Sequence, residues 1–93
     1  PRYDVRPVAS YLGSLEREGR PLAHAGKYRG EYHFAGRLTG ALEVIEPGDV
    51  ERWFARHPDG YAVIYSQRPS PDERDEFRQD YRGGVIAVRR KAR

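Results

Sequence analysis

Residues 49–66 read DVERWFARHPDGYAVIYS, and this stretch decides the fold. Asp49 stands where an N-cap belongs and Glu51 falls in the first turn, where a carboxylate meets the positive end of the helix dipole. Val50, Trp53, Phe54 and His57 share one helical face, and His57-Pro58-Asp59-Gly60 supplies the stop. Tyr61 to Ser66 then becomes a near-continuous apolar run, the pattern of a strand covered on both sides. A helix feeding such a strand predicts helices packed on a sheet.

Upstream, residues 41–46 (ALEVIE) alternate well enough for a strand, and Pro47-Gly48 turns the chain into the helix. Residues 21–25 (PLAHA) suit a short buried strand ended by Gly26. Between the two, residues 26–40 are dense in Gly, Arg and aromatics without clear alternation, which predicts a loop plus a short helix around 31–35. Val5, Val8, Leu12 and Leu15 recur at spacings of three and four, predicting a first helix over 5–18 with Asp4 as cap, Pro7 in the first turn and Gly19 as stop. Gly13 inside it costs about 1 kcal/mol relative to Ala.

Downstream, residues 67–83 read as a polar, irregular segment with Pro69 and Pro71, in which Phe77 and Tyr81, four apart, anchor a short helix. Asp72-Glu73-Arg74-Asp75-Glu76 reads as a solvated surface with local ion pairs, since it lacks the spacing of a calcium loop. Residues 84–89 (GVIAVR) form the last strand, followed by a basic tail. The sum is an α/β fold: a small mixed or mainly parallel sheet of about four strands with two or three packed helices.

Ninety-three residues hold one domain and one core. With 38% apolar and 33% charged residues the chain is polar but not of disordered composition. Zero cysteines exclude disulfides, a thiolate nucleophile and a Cys-based zinc site. The longest apolar run, residues 61–65, is far short of the roughly 18 a membrane-spanning helix needs. The chain starts at Pro1 and has no Met, so it is expected to be a trimmed piece of a longer reading frame. Seventeen basic residues against 14 acidic leave a net charge of +3 with the acids scattered, which argues weakly for a polyanionic partner. Arg outnumbers Lys fifteen to two, a skew that guanidinium recognition of phosphate would use but that GC-rich coding produces more simply.

His24, His33 and His57 form no metal-ligand pattern, and Ser10, Ser14, Ser66 and Ser70 sit in no nucleophile elbow. No catalytic residue, metal or cofactor is expected. The stretch that invites a functional reading is GKYRGEYHFAGRL, residues 26–38. If residues 21–25 are a parallel strand, this segment leaves its carboxyl end, where open α/β sheets place ligand crevices. Lys27, Arg29 and Arg37 offer charge to an anion, Tyr28 or Tyr32 a face to a sugar ring, and His33 a further polar contact, so these six are the candidate phosphate–sugar residues. The competing reading gives the glycines to turns, Phe34 and Leu38 to the core and the charges to water, and spacing alone favours it. Nucleic acid is disfavoured: the charge is low and no RNP, KH or zinc-finger pattern occurs.

Residues 22–68, LAHAGKYRGEYHFAGRLTGALEVIEPGDVERWFARHPDGYAVIYSQR, resemble the C-terminal domain of bacterial membrane glycosyltransferases related to 4-amino-4-deoxy-L-arabinose transferase and protein O-mannosyltransferases. The opening YDVRPVASYLGSLEREGRP and closing YRGGVIAVRR extend the resemblance over nearly the whole chain, and GKYRGEYHFAGRL and ARHPDGYAV are its most specific pieces. The resemblance implies a non-catalytic periplasmic domain of a multi-pass inner-membrane enzyme that moves a sugar from a polyprenyl-phosphate donor to lipid A or a similar acceptor. It implies catalytic acids in upstream membrane loops, with the membrane-embedded part of the same chain as partner and anionic lipid or the donor as further contacts. The alternatives are a free-standing binding module for a phosphorylated small molecule or nucleic acid and, last, a small enzyme.

Overall fold

The computed structural model describes residues 4–35 and 38–93. Among them the chain runs α1 (Arg6–Arg17), β1 (Leu22–Ala25), α2 (Glu31–Phe34), β2 (Glu43–Ile45), α3 (Val50–Arg56), β3 (Tyr61–Ser66), β4 (Asp75–Tyr81) and β5 (Gly84–Arg90), with a 3-10 turn at Pro47–Asp49 before α3. The architecture is α/β, a mixed sheet of order β2-β1-β3-β5-β4 with three helices. β1 is parallel to both β2 and β3, whereas β5 is antiparallel to both β3 and β4. No helix among the described residues is long and apolar enough to cross a membrane.

Strand alternation divides the core in two. Leu22, Val63, Ile86 and Val88 join Val8, Leu12 and Leu15 of α1 on one face. Their chain neighbours Ala23 and Ala62 turn to the other face, where Val50, Trp53 and Phe54 of α3 cover them. Alanine on those strands lets the two large rings lie close to the sheet. Trp53 is wholly buried and its indole N–H donates to Glu43 Oε1 at 2.9 Å, so the ring loses no hydrogen bond by burial.

Three local expectations need correcting. The helix expected from Phe77 and Tyr81 is the strand β4: a spacing of four is also two steps of two, and Phe77, Gln79 and Tyr81 line one strand face, with Phe77 stacked on Tyr11 at 4.9 Å. Arg82 and Gly83, at φ 50° and 77°, make the two-residue turn into β5, which raises the strand number from about four to five. Asp49 occupies the N-cap of α3 without capping it, because its backbone is not extended and its carboxylate pairs with Arg52. The acidic run is not simply solvated either. Asp75 is only 2% exposed at its side chain and pairs with Arg89 (2.7 Å) and Arg78 (3.2 Å).

Asp4, expected as the cap, lies one residue outside the N-cap, which is Val5, because the helix begins at Arg6; it accepts the Arg6 N–H at 2.9 Å. At the other end of α1, Gly19 takes φ 78° and the Arg20 N–H closes on the Leu15 carbonyl, the stop its sequence predicts.

Candidate functional site

After β1 the chain leaves for β2 on one side, and after β3 it leaves for β4 and β5 on the other. Connections departing in opposite directions open a crevice between the carboxyl ends of the two strands. A cleft of about 290 Å³ lies there. His24, Tyr32 and Ile86 form its floor, and each is buried. One rim carries Lys27, Arg29 and Glu31 from the exit of β1; the other carries Tyr65 and Gln67 from the end of β3 and Tyr81 and Arg82 from the β4–β5 turn.

The second rim is held by its own contacts. The Tyr65 hydroxyl donates to the Arg82 carbonyl at 3.0 Å, Tyr65 and Tyr81 meet edge to face at 6.1 Å, and the Arg82 guanidinium lies over the Tyr81 ring at 5.3 Å. On the first rim, Lys27 and Arg29 are exposed and form no ion pair among the described residues. Among the described residues the only acid on the cleft is Glu31, which accepts the Arg29 backbone N–H at 2.9 Å. Three cations against one carboxylate leave a positive hollow.

The candidate residues thus divide. Lys27, Arg29 and Tyr32 meet at the cleft, Tyr32 as a 3% exposed floor residue whose hydroxyl burial pushes well above the ordinary tyrosine range. Tyr28 and His33 are occupied in holding the loop together. The Tyr28 hydroxyl accepts the N–H groups of Tyr32 and His33 at 3.1 and 3.2 Å, so it caps α2, whose N-cap residue Gly30 has no side chain. It also donates to His33 Nδ1 at 2.6 Å, while His33 Nε2 donates to the Gly40 carbonyl at 2.7 Å. Both ring nitrogens and the phenol are thus engaged in bonds within the loop. Glu16 of α1 completes the brace by accepting the N–H groups of Thr39, at 3.1 Å, and of Gly40, and these bonds hold its carboxyl below the usual range. Arg37 lies outside the described residues.

His24, Tyr65, Gln67, Tyr81 and Arg82 are cleft residues that sequence reasoning missed. The position of Gln67 just after β3 is a signal for it, because the same strand-end argument that selects Lys27 applies. Tyr81 and Arg82 become visible only once the hairpin turn is recognised.

A second recess, about 180 Å³, sits over the β4–β5 half of the opposite sheet face. Its carboxylates are paired, Asp72 with Arg74 (2.9 Å) and Arg89 (3.3 Å), Asp75 with Arg89 and Arg78, and they cross-brace the strands. Arg68, exposed at its edge, forms no ion pair among the described residues, but this recess carries two acids where the cleft carries one. Among the described residues no group of His, Asp and Glu is arranged to hold a metal ion. No protein-family model, curated protein or solved structure matches this chain.

Proposed function

We propose that the chain is a non-catalytic binding domain whose cleft at the ends of β1 and β3 receives a phosphate-bearing group. The observation that carries this reading is the placement of Lys27 and Arg29, exposed and without ion pairs among the described residues, on the rim of a hollow at the crossing point of the sheet connections. A cation held beside a hollow and left without a carboxylate partner is poised for a charge-assisted bond to an incoming anion.

The resemblance to membrane glycosyltransferases supplies the wider setting of the proposal. The domain belongs to a polyprenyl-phosphate-dependent enzyme at the periplasmic face of the inner membrane, transferring a sugar to lipid A or a similar acceptor. The cleft then serves the phosphate of donor or acceptor beside the membrane-embedded catalytic part, which is the domain's partner.

Titration of the isotope-labelled chain with inorganic pyrophosphate tests the cleft. The amides of Lys27, Arg29 and Gln67 should shift together, and the Lys27→Ala/Arg29→Ala double variant should bind roughly tenfold or more weakly, with a flatter salt dependence. Shifts scattered over the surface, or an unchanged double variant, would refute the site. Reading the coding sequence upstream of Pro1 tests the setting: several apolar spans of about 20 residues support it, and a nearby start codon removes it.

A further inference from the structure

His24 is buried to 6% exposure at the cleft floor, yet its ring is only half satisfied. Nδ1 lies 3.0 Å from the Gly26 carbonyl, and a carbonyl can only accept, so Nδ1 carries the hydrogen and the neutral ring keeps its lone pair on Nε2. Nε2 has no hydrogen-bond partner among the described residues, whereas every fully buried side-chain nitrogen or oxygen among them has one. Nε2 is therefore not sealed into the core; it opens on the cleft that His24 lines. Tyr28 and Tyr32, with ring centroids 5.3 and 6.1 Å from that of His24, pack around the imidazole and limit its freedom to turn away.

We propose that Nε2 of His24 accepts a hydrogen bond from a ligand hydroxyl, so that the cleft selects a phosphorylated sugar over a simple phosphate ester. The inference rests on the phosphate reading above and adds to it the second point of contact. An inward lone pair repels phosphate oxygens and attracts an O–H, while Lys27 and Arg29 stand on the rim, where a phosphate is met first. A ligand satisfying both carries an anion at one end and a hydroxyl at the other. Between them Tyr65, 37% exposed on the facing rim, offers an aromatic edge to the body of a sugar ring. A volume of about 290 Å³ is at the small end for ligand sites and suits a monosaccharide unit. A buried acceptor left unmatched is costly, which is how one such atom discriminates between ligands.

Calorimetric titration of the chain with α-D-glucose 1-phosphate and with ethyl phosphate, a monoester lacking any hydroxyl on its carbon chain, tests the proposal. The sugar phosphate should bind about tenfold tighter. His24→Asn keeps a donor for the Gly26 carbonyl but has no atom at the Nε2 position, and should lose that margin while still binding ethyl phosphate. His24→Gln, whose amide reaches outward, should recover part of it. In the unmodified chain the ¹⁵N resonance of His24 Nε2 should move on adding glucose 1-phosphate and stay put with ethyl phosphate, a readout that needs no variant to fold. Equal affinity for the two esters, a margin unchanged in His24→Asn, or an unmoved Nε2 resonance would overturn the hydroxyl contact and leave the phosphate site standing. Binding of neither ester would overturn the phosphate reading itself.

Discussion

The Tyr28 hydroxyl and Nδ1 of His33 lie 2.6 Å apart, and the same hydroxyl accepts two backbone N–H groups of α2. A side chain preceding a four-residue helix thus does the work of a cap that Gly30 lacks. Burial holds the phenol above its ordinary range, which keeps the proton available for His33.

Tyr28→Phe removes three hydrogen bonds at once while preserving the ring. The expected loss is about 1–2 kcal/mol, from an unsatisfied cap and an unmatched imidazole. Urea denaturation measures it, and the His33 ring resonances should show the tautomer no longer fixed. An unchanged midpoint would mean that water replaces the hydroxyl at no cost.

Gly84 is required for space. A Cβ there would collide with the Ser66 carbonyl and come within 2.8 Å of the Tyr65 hydroxyl, forcing β3 and β5 apart where they register at Ser66 and Val85. Gly84→Ala should cost about 2–3 kcal/mol, as overpacking against backbone does, and should disturb the Tyr65 rim. Its neighbour Gly83 has open space around it but takes φ 77°, so Gly83→Ala should cost only the roughly 1–2 kcal/mol of a left-handed non-glycine residue. Thermal melts of the two variants should rank in that order.

Asp72 gives the fold an acid dependence. Side-chain bonds from Arg74, then its backbone N–H and the charge of Arg89, hold the Asp72 carboxyl well below the usual carboxylate range. A depressed folded value means that its contribution is complete above the unfolded aspartate value near 4, approximately, and fades as pH falls towards strong acid. Asp72→Asn should therefore lose about 1 kcal/mol at pH 7, and the gap from the parent should narrow steadily in denaturation series below about pH 4. A gap independent of pH would assign the loss to packing.

Tyr32 supplies the alkaline counterpart. Desolvation by the surrounding fold keeps its hydroxyl protonated beyond the pH at which an unfolded tyrosine ionises, so the unfolded chain releases a proton that the folded chain keeps. Stability should fall as pH rises past about 10, and Tyr32→Phe should make the decline shallower. Stability measured between neutral and strongly alkaline pH checks this, and equal slopes for the two proteins would place the hydroxyl in water.

The helix–strand pair at Trp53, Phe54 and residues 61–65 is legible because burial on both sides of a sheet leaves an unmixed apolar signal. β4 is not, because its inward series is interrupted by Gln79, whose amide accepts the Val8 N–H at 3.0 Å and donates to the Asp4 carbonyl. A polar residue turned inward for a tertiary bond looks, in sequence, like a break in the pattern. Asp75 hides for the same reason, since only the fold brings Arg89 to it across the sheet.

The cleft is half legible. Lys27, Arg29 and Tyr32 follow from one argument about where a parallel strand ends. Tyr65, Tyr81 and Arg82 belong to a rim that exists only after a hairpin folds back, and His24 reads as filler in LAHA until the Gly26 carbonyl fixes its tautomer. Spacing in the chain carries no information about which nitrogen of a ring stays open.

The parallel seam between β1 and β3 consists of three residue pairs, Leu22 with Tyr61, Ala23 with Ala62 and His24 with Val63. One cleft rim comes from before that seam and the other from after it, while residues 61–90 form their own contiguous antiparallel unit. An occupant touching both rims acts as a staple across this three-pair joint. Amide protons of Ala62 and Val63 then exchange more slowly in proportion to occupancy, and the molecule's resistance to opening becomes a gauge of how full its cleft is.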